Sequence, residues 1–381
     1  MYIVPVASGK GGVGKSLVSA NLAIALAQAG KRVILADLDL GGSNLHLILG
    51  MNSINGSIGT LLNNSREKIS SILNDTGIPN LQFIPGDSEI PGLANLTASQ
   101  KRMLVRKLTS LEADYLIMDL GAGTGQTTLD FFLTSSHGII CTTPTPTATV
   151  SAYLFLKNAV FRVLQGTVGK TGAGADYIKE LFQDKNNLRQ VYFPDIAREL
   201  DQRDPEAGQN FRHAMRRFNP RLIMNMLENP KDAEKINRLR RSAQQYLDLD
   251  LLHLGVIFRD DLQDTALSAR LPIIRYKPSS ILSQAVYRIA DKMVQLEADT
   301  DGSVLDLETI NDSFEAAETE AESDFENRMN YIEELLNTGA LSTGDLVETI
   351  KSQHHELVQL KKQVNLYRSK VVRAINQGFT V

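Results

Sequence analysis

Hydrophobic and polar positions alternate along this chain in two rhythms. Short aliphatic and β-branched runs at 3–7, 32–37, 81–85, 115–120, 138–143, 221–227 and 252–258 read as strands, and between them lie longer stretches with helical spacing, the first from Lys15 to about Ala29. The runs are continuously apolar rather than alternating. Strands of that kind are buried on both faces, which predicts an α/β domain with a doubly wound, mostly parallel sheet over residues 1–296.

Residues 161–220 exceed what one crossover needs and read as a helical insertion on the sheet. Arg212, Arg216, Arg217, Arg221, Arg238, Arg240 and Arg241 lie in and after it, interleaved with Asp232 and Glu234; they form either solvated helix faces or a patch for nucleic acid or a partner. From 297 to 327 there are 12 acidic residues and no Lys or Arg, a self-repelling block that predicts a flexible linker. Beyond it Phe325, Met329, Ile332 and Leu336 fall at helical spacing and stop at Asn337-Thr338-Gly339. A second helix is predicted from near Ser342 to about Gln377, so residues 328–381 read as a C-terminal helical hairpin or coiled-coil extension.

Composition narrows the classes without naming one. At 381 residues and 43% hydrophobic, the chain has material for a large core plus an appendage. A net charge of −4 excludes a whole-surface electrostatic grip on nucleic acid or anionic lipid. Cys141 is the one cysteine, so there is neither an intramolecular disulfide nor a CxxC pair for zinc or an iron–sulfur cluster. The start at Met1-Tyr2-Ile3-Val4 has no basic and apolar leader, and no apolar run approaches 18 residues. The expectation is a cytoplasmic protein. His46, His137, His213, His253, His354 and His355 show no metal-ligand spacing.

The sharpest chemical signal is Gly9-Lys10-Gly11-Gly12-Val13-Gly14-Lys15-Ser16, which satisfies GxxxxGK[ST] between an apolar strand and a helix. Its backbone N–H groups can donate to phosphate oxygens, Lys15 supplies charge to the β and γ phosphates, and Ser16 can ligate Mg²⁺. Gly169-Lys170-Thr171 also spells GKT, but Leu164 stands where the first glycine belongs and no strand precedes it. Residues 115–119 form the matching acidic strand, ending in Asp119 where open α/β sheets bind ligands. A second strand ends in Asp37-Leu38-Asp39, whose carboxylates, two apart on extended chain, can face the same cleft, one toward metal-bound water and one toward the attacking water.

These residues resemble the MinD/ParA family of P-loop ATPases. Lys10-Gly11-Gly12-Val13-Gly14-Lys15-Ser16 is similar to the family's deviant Walker A motif, marked by the extra Lys10. Residues 37–45 resemble its second acidic motif, and Asp119-Leu120-Gly121-Ala122-Gly123 resembles the Walker B and switch segment of the MinD and FlhG branch. The resemblance covers residues 2–296. It implies ATP and Mg²⁺ as cofactors, nucleotide binding by Gly9 to Ser16 with Leu17, and a sandwich homodimer in which Lys10 reaches the partner's phosphates. Lys10, Lys15 and Asp39 would serve catalysis, with Asp39 positioning water; Ser16, Asp37 and Asp119 would serve the metal directly or through water. Asn225, ending residues 221–225, resembles the asparagine that contacts adenine. Phe258-Arg259 stand where the family commonly has a proline and an acid.

The tail leaves three readings open, the plainest being a solvated helix. Leu346, Ile350, Leu357, Leu360, Val364, Tyr367, Val371 and Ala374 form a coiled-coil seam, suited to a protein partner. After Glu356 there is no acid, while Lys361, Lys362, Arg368, Lys370 and Arg373 accumulate, which suits peripheral contact with the inner face of a membrane. The functional expectation is an ATP-switched homodimeric ATPase that positions a cellular component at a division, flagellar or polar site. Its alternatives are a ParA-like partition ATPase that binds DNA and an ATP-gated adaptor with negligible hydrolysis of its own.

Overall fold

The computed structural model describes residues 1–64, 66–87, 96–183, 191–299 and 307–337, with six further helical positions between 344 and 358. The chain divides into two compact units, residues 1–324 and 325–381. The first is built on an eight-stranded sheet: β1 (Tyr2–Ala7), β2 (Val33–Leu38), β3 (Asn74–Asp75), β4 (Leu81–Ile84), β5 (Tyr115–Leu120), β6 (Ile139–Thr142), β7 (Arg221–Leu227) and β8 (Leu252–Phe258). Their order across the sheet is β3-β4-β2-β5-β1-β6-β7-β8, and only β3 runs antiparallel to its neighbour. The seven apolar runs are the seven parallel strands. β3, two residues long, carries no periodicity from which to read it.

β2, β5, β6 and β8 are buried at every residue, because helices cover both faces. Helix Lys15–Gln28 lies against helix Ile281–Asp299 on one side. Its stretch from Val18 to Ala27 is buried throughout, so small alanines at four positions let strand and helix approach closely. Helices Pro146–Thr167 and Glu234–Leu247 pack together on their own account. The helix from Pro146 runs to Thr167, past the expected start of the insertion. The inserted residues themselves form helices Ala173–Gln183, Phe193–Arg203 and Pro205–Arg217.

Two sequence expectations need correction. From Leu307 on, the acidic block is helix rather than linker, part of helix Leu307–Asn337. Ile310, Phe314, Ala317 and Ala321 form a buried stripe at helical spacing, which a count of charges passes over. The acids beside that stripe have cationic and amide partners. Asp324 lies 2.5 Å from Arg288, Glu320 pairs with Lys292, and Asn237 donates to Glu318 at 2.7 Å. Ser313 Oγ accepts the backbone N–H of His253 in β8. The helix is described as far as Asn337, and the rest of the expected stop at Thr338-Gly339 lies outside the described residues. Arg221 also departs from its reading as a surface cation. It is 2% exposed, and its guanidinium donates to the Tyr2 hydroxyl at 2.6 Å.

Ile350 of the expected seam is 60% exposed. The remaining seam positions and the basic residues from Lys361 onward lie outside the described residues.

Candidate nucleotide site

The phosphate loop connects β1 to helix Lys15–Gln28, and Gly14 caps that helix with no side-chain bond. The first N–H groups of the helix are therefore left for a ligand. Gly14 has φ of +82°, a left-handed backbone that disfavours any other residue. At Gly9 the constraint is contact: a Cβ there would stand 2.0 Å from the carbonyl oxygen of Ser151, so glycine lets helix Pro146–Thr167 back the loop.

Parallel register sets the carboxylates. Asp37 of β2 pairs with Asp119 of β5, placing two acids at one height on neighbouring strands. Lys15 Nζ lies 2.8 Å from Asp119 Oδ1 and 3.3 Å from Ser16 Oγ. Ser19 Oγ stands 2.9 Å from the same Asp119 oxygen and 3.0 Å from the Lys15 carbonyl oxygen. Asp119 Oδ2 is buried without a hydrogen-bond partner. Asp37 accepts from the Asp39 N–H at 3.1 Å, Ser43 Oγ at 2.7 Å and the Leu45 N–H at 3.3 Å. Burial, and then the neighbouring charge of Asp119, push the Asp37 carboxyl up to about 6 despite those bonds. Burial also raises Asp39, with Lys15 opposing.

Asp39 lies outside the ion pair, beside the switch segment. A Cβ on Gly121 would be 3.3 Å from its Oδ1. Gly123 N–H donates to the Ser8 carbonyl at 2.9 Å, tying that segment to the residue before the loop. Lys10 is exposed and stands apart, its Nζ 3.2 Å from Thr147 Oγ1. Asn225 is 2% exposed and donates to the Val13 carbonyl at 2.9 Å. Leu17 offers its carbonyl to Asn21 rather than to the cleft.

The structure thus gathers Lys15, Ser16, Asp37, Asp39 and Asp119 at the carboxyl ends of the central strands β1, β2 and β5, with Lys10 bonded elsewhere. Sequence reading missed Ser19, Ser43 and Cys141. Ser19 was findable, four residues after Lys15 on the same helix face. Ser43 sits in an irregular loop whose path no spacing rule gives.

The donors fit a hard cation. Among the described residues no three His, Cys, Asp or Glu side chains converge into a cage. Two carboxylates and the Ser16 hydroxyl, with one Asp119 oxygen unbonded, suit Mg²⁺, which keeps several waters and substrate oxygens in its shell. The GKT sequence at Gly169 falls in the bend between two helices, as read. A groove of about 610 Å³ between helices Pro146–Thr167 and Glu234–Leu247 is lined by Val150, Tyr153, Leu239 and Tyr246. It contains none of the loop's residues.

The ParA family model, described as NUBPL iron-transfer P-loop NTPase, matches residues 1–159, which hold the loop and all three acidic residues. Residues 1–159 therefore resemble that family of P-loop NTPases. This chain is similar to the antiactivator FleN of Pseudomonas aeruginosa, 25% identical over 296 residues that cover 77% of this chain and 86% of FleN. The flagellum site-determining protein YlxH of Helicobacter pylori is 35% identical over 156 residues, 40% of this chain and 52% of YlxH. Among solved structures, the septum site-determining protein MinD of Pyrococcus horikoshii, complexed with Mg-ADP, superposes with a TM-score of 0.54 at 21% identity. That match covers 79% of this chain and 99% of MinD, and establishes the shared fold. Among the described residues, no helix is long and apolar enough to cross a membrane.

Proposed function

We propose that this chain is a Mg²⁺-dependent ATPase that dimerises when ATP-bound and uses that switch to place a cellular component. Its relatives' names refer to flagellar and septal sites. The observation that carries the reading is the convergence of Lys15, Ser16, Asp37, Asp39 and Asp119 on a glycine loop at a helix N-terminus. Phosphoryl transfer needs positioning and charge neutralisation more than a covalent side chain, and these residues offer both.

In this reading the loop N–H groups and Lys15 hold the β and γ phosphates. Asp39, half-buried and outside the ion pair, orients the attacking water. Mg²⁺, held by Ser16, Asp37 and Asp119 directly or through water, supplies neutralising charge at the phosphates. Lys10 serves the opposite subunit. Its exposure and its bond to Thr147 rather than to the Lys15 cluster support that role, because a lysine already buried in its own site could not reach across. Residues 328–381 engage the partner that is positioned or that activates turnover.

Phosphate release by the purified chain tests the assignment. Turnover that requires MgCl₂ and disappears in Asp39→Ala is expected. Equal turnover in parent and variant, or a chain that does not bind ATP, would sink it.

A further inference from the structure

The Val13 carbonyl is held from two strands. Asn225 Nδ2 of β7 donates to it at 2.9 Å, and Cys141 Sγ of β6 lies 3.6 Å from it. Both donors are buried, at 2% and 1% exposure. Burial pushes the Cys141 thiol up to about 12, so it keeps its proton and can donate.

A trans peptide unit points its carbonyl and the next N–H in opposite directions. Turning the Val13 carbonyl inward therefore turns the Gly14 N–H outward, toward the ligand side of the loop. The same amide also controls the room around Gly14: a Cβ there would stand 2.2 Å from Asn225 Nδ2. The strand adapts to deliver Asn225. A register shift interrupts the β7–β8 pairing between Met224 and Leu227, and Met226 takes φ of +58° with its side chain exposed. That local break lets Asn225 face the loop while the following residue turns away.

We infer that Asn225 is a positioning residue for the phosphate loop, fixing the Val13–Gly14 peptide so that the Gly14 N–H faces the polyphosphate. The role is distinct from reading the base, which the resemblance assigns to this asparagine. It rests on the nucleotide reading above.

Inorganic tripolyphosphate, which has no base, separates the two roles. Its affinity and those of ATP and GTP are measured by calorimetry on the full chain, for the parent and for Asn225→Ala, with thermal melts to confirm folding. A positioning residue predicts that all three ligands weaken by the same factor, about tenfold, with the ATP to GTP ratio unchanged. Asn225→Asp, which keeps the volume but sets a carboxylate oxygen against the Val13 carbonyl, should weaken all three further. Cys141→Ala removes the second donor and should reproduce the pattern at about twofold; it replaces Asn225→Ala as the test if that variant does not fold. Loss of ATP affinity with tripolyphosphate unchanged, or a collapsed ATP to GTP ratio, overturns the inference and leaves the nucleotide site standing. A parent chain that binds none of the three overturns the nucleotide reading and this inference together.

Discussion

Lys15 Nζ lies 2.8 Å from Asp119 Oδ1, and both side chains are withdrawn from solvent at 6% and 1% exposure. Each charge compensates the other where water cannot. A phosphate that draws Lys15 away leaves Asp119 in need of another cation, which links nucleotide binding to Mg²⁺ binding through one carboxylate.

Lys15→Ala should abolish ATP binding in calorimetry and also cost about 3–5 kcal/mol of stability in urea denaturation, because a buried carboxylate is left uncompensated. The double variant Lys15→Ala with Asp119→Ala should recover much of that stability and none of the binding. Binding that survives in either variant would mean the loop is not the site.

The neighbouring acids should separate cleanly. Asp39→Ala should keep ATP affinity and the parent's melting temperature while losing turnover, because the residue stands outside the ion pair. Asp37→Ala removes an acceptor for Asp39, Ser43 and Leu45, and should lower stability by about 1–3 kcal/mol as well as weaken Mg²⁺ binding. Identical phenotypes would contradict the division of roles.

Lys10→Ala should bind ATP normally yet fail to dimerise or turn over. Mixed with Asp39→Ala protein, it tests action in trans: the assignment requires a mixed dimer whose activity differs from that of both parents, and an unchanged rate counts against it.

Much of this was legible in the sequence. Gly9 to Ser16 is legible because phosphate binding needs a fixed spacing of glycines and one lysine, and Asp119 because a β-run ends in it. The part played by 307–324 was obscured by its charge. Its acids neutralise Arg288 and Lys292 of helix Ile281–Asp299, outside the block itself, so the balance is visible only in three dimensions. Asn225 marks the reverse limit: its place at a strand end was readable, while its bond to Val13 depends on the break after Met224.

Truncation locates the domain end. Removing 328–381 should leave ATP binding and melting near the parent's, because the buried stripe ends at Ala321 and Asp324. Ending the chain after Leu296 strips Ile310, Phe314, Ala317 and Ala321 from the domain and should yield insoluble or much less stable protein. Equal melting of the two truncations would return 307–324 to linker status.

His253 gives a pH signature. It is buried against Phe314 with neither ring nitrogen bonded, and burial, aided by the charge of Lys292, pushes its pKa down to about 3. The unfolded chain takes up a proton here from about pH 6.5 downward, and the folded chain does not. Stability from this group is therefore full above that pH and falls as pH drops toward 3, by about 1.4 kcal/mol per unit. His137, pushed down to about 4, adds loss of the same sign. Denaturation midpoints between pH 7 and 4.5 should flatten in His253→Leu; an unaltered slope would show the histidine is hydrated.

The central claim is a nucleotide-gated change of assembly. Light scattering on the full chain with ADP and Mg²⁺, and then with ATP and Mg²⁺, measures it directly, using Asp39→Ala to stop turnover. The account predicts the mass of one chain with ADP and of two with ATP. One mass with both nucleotides, each verified as bound, would contradict it.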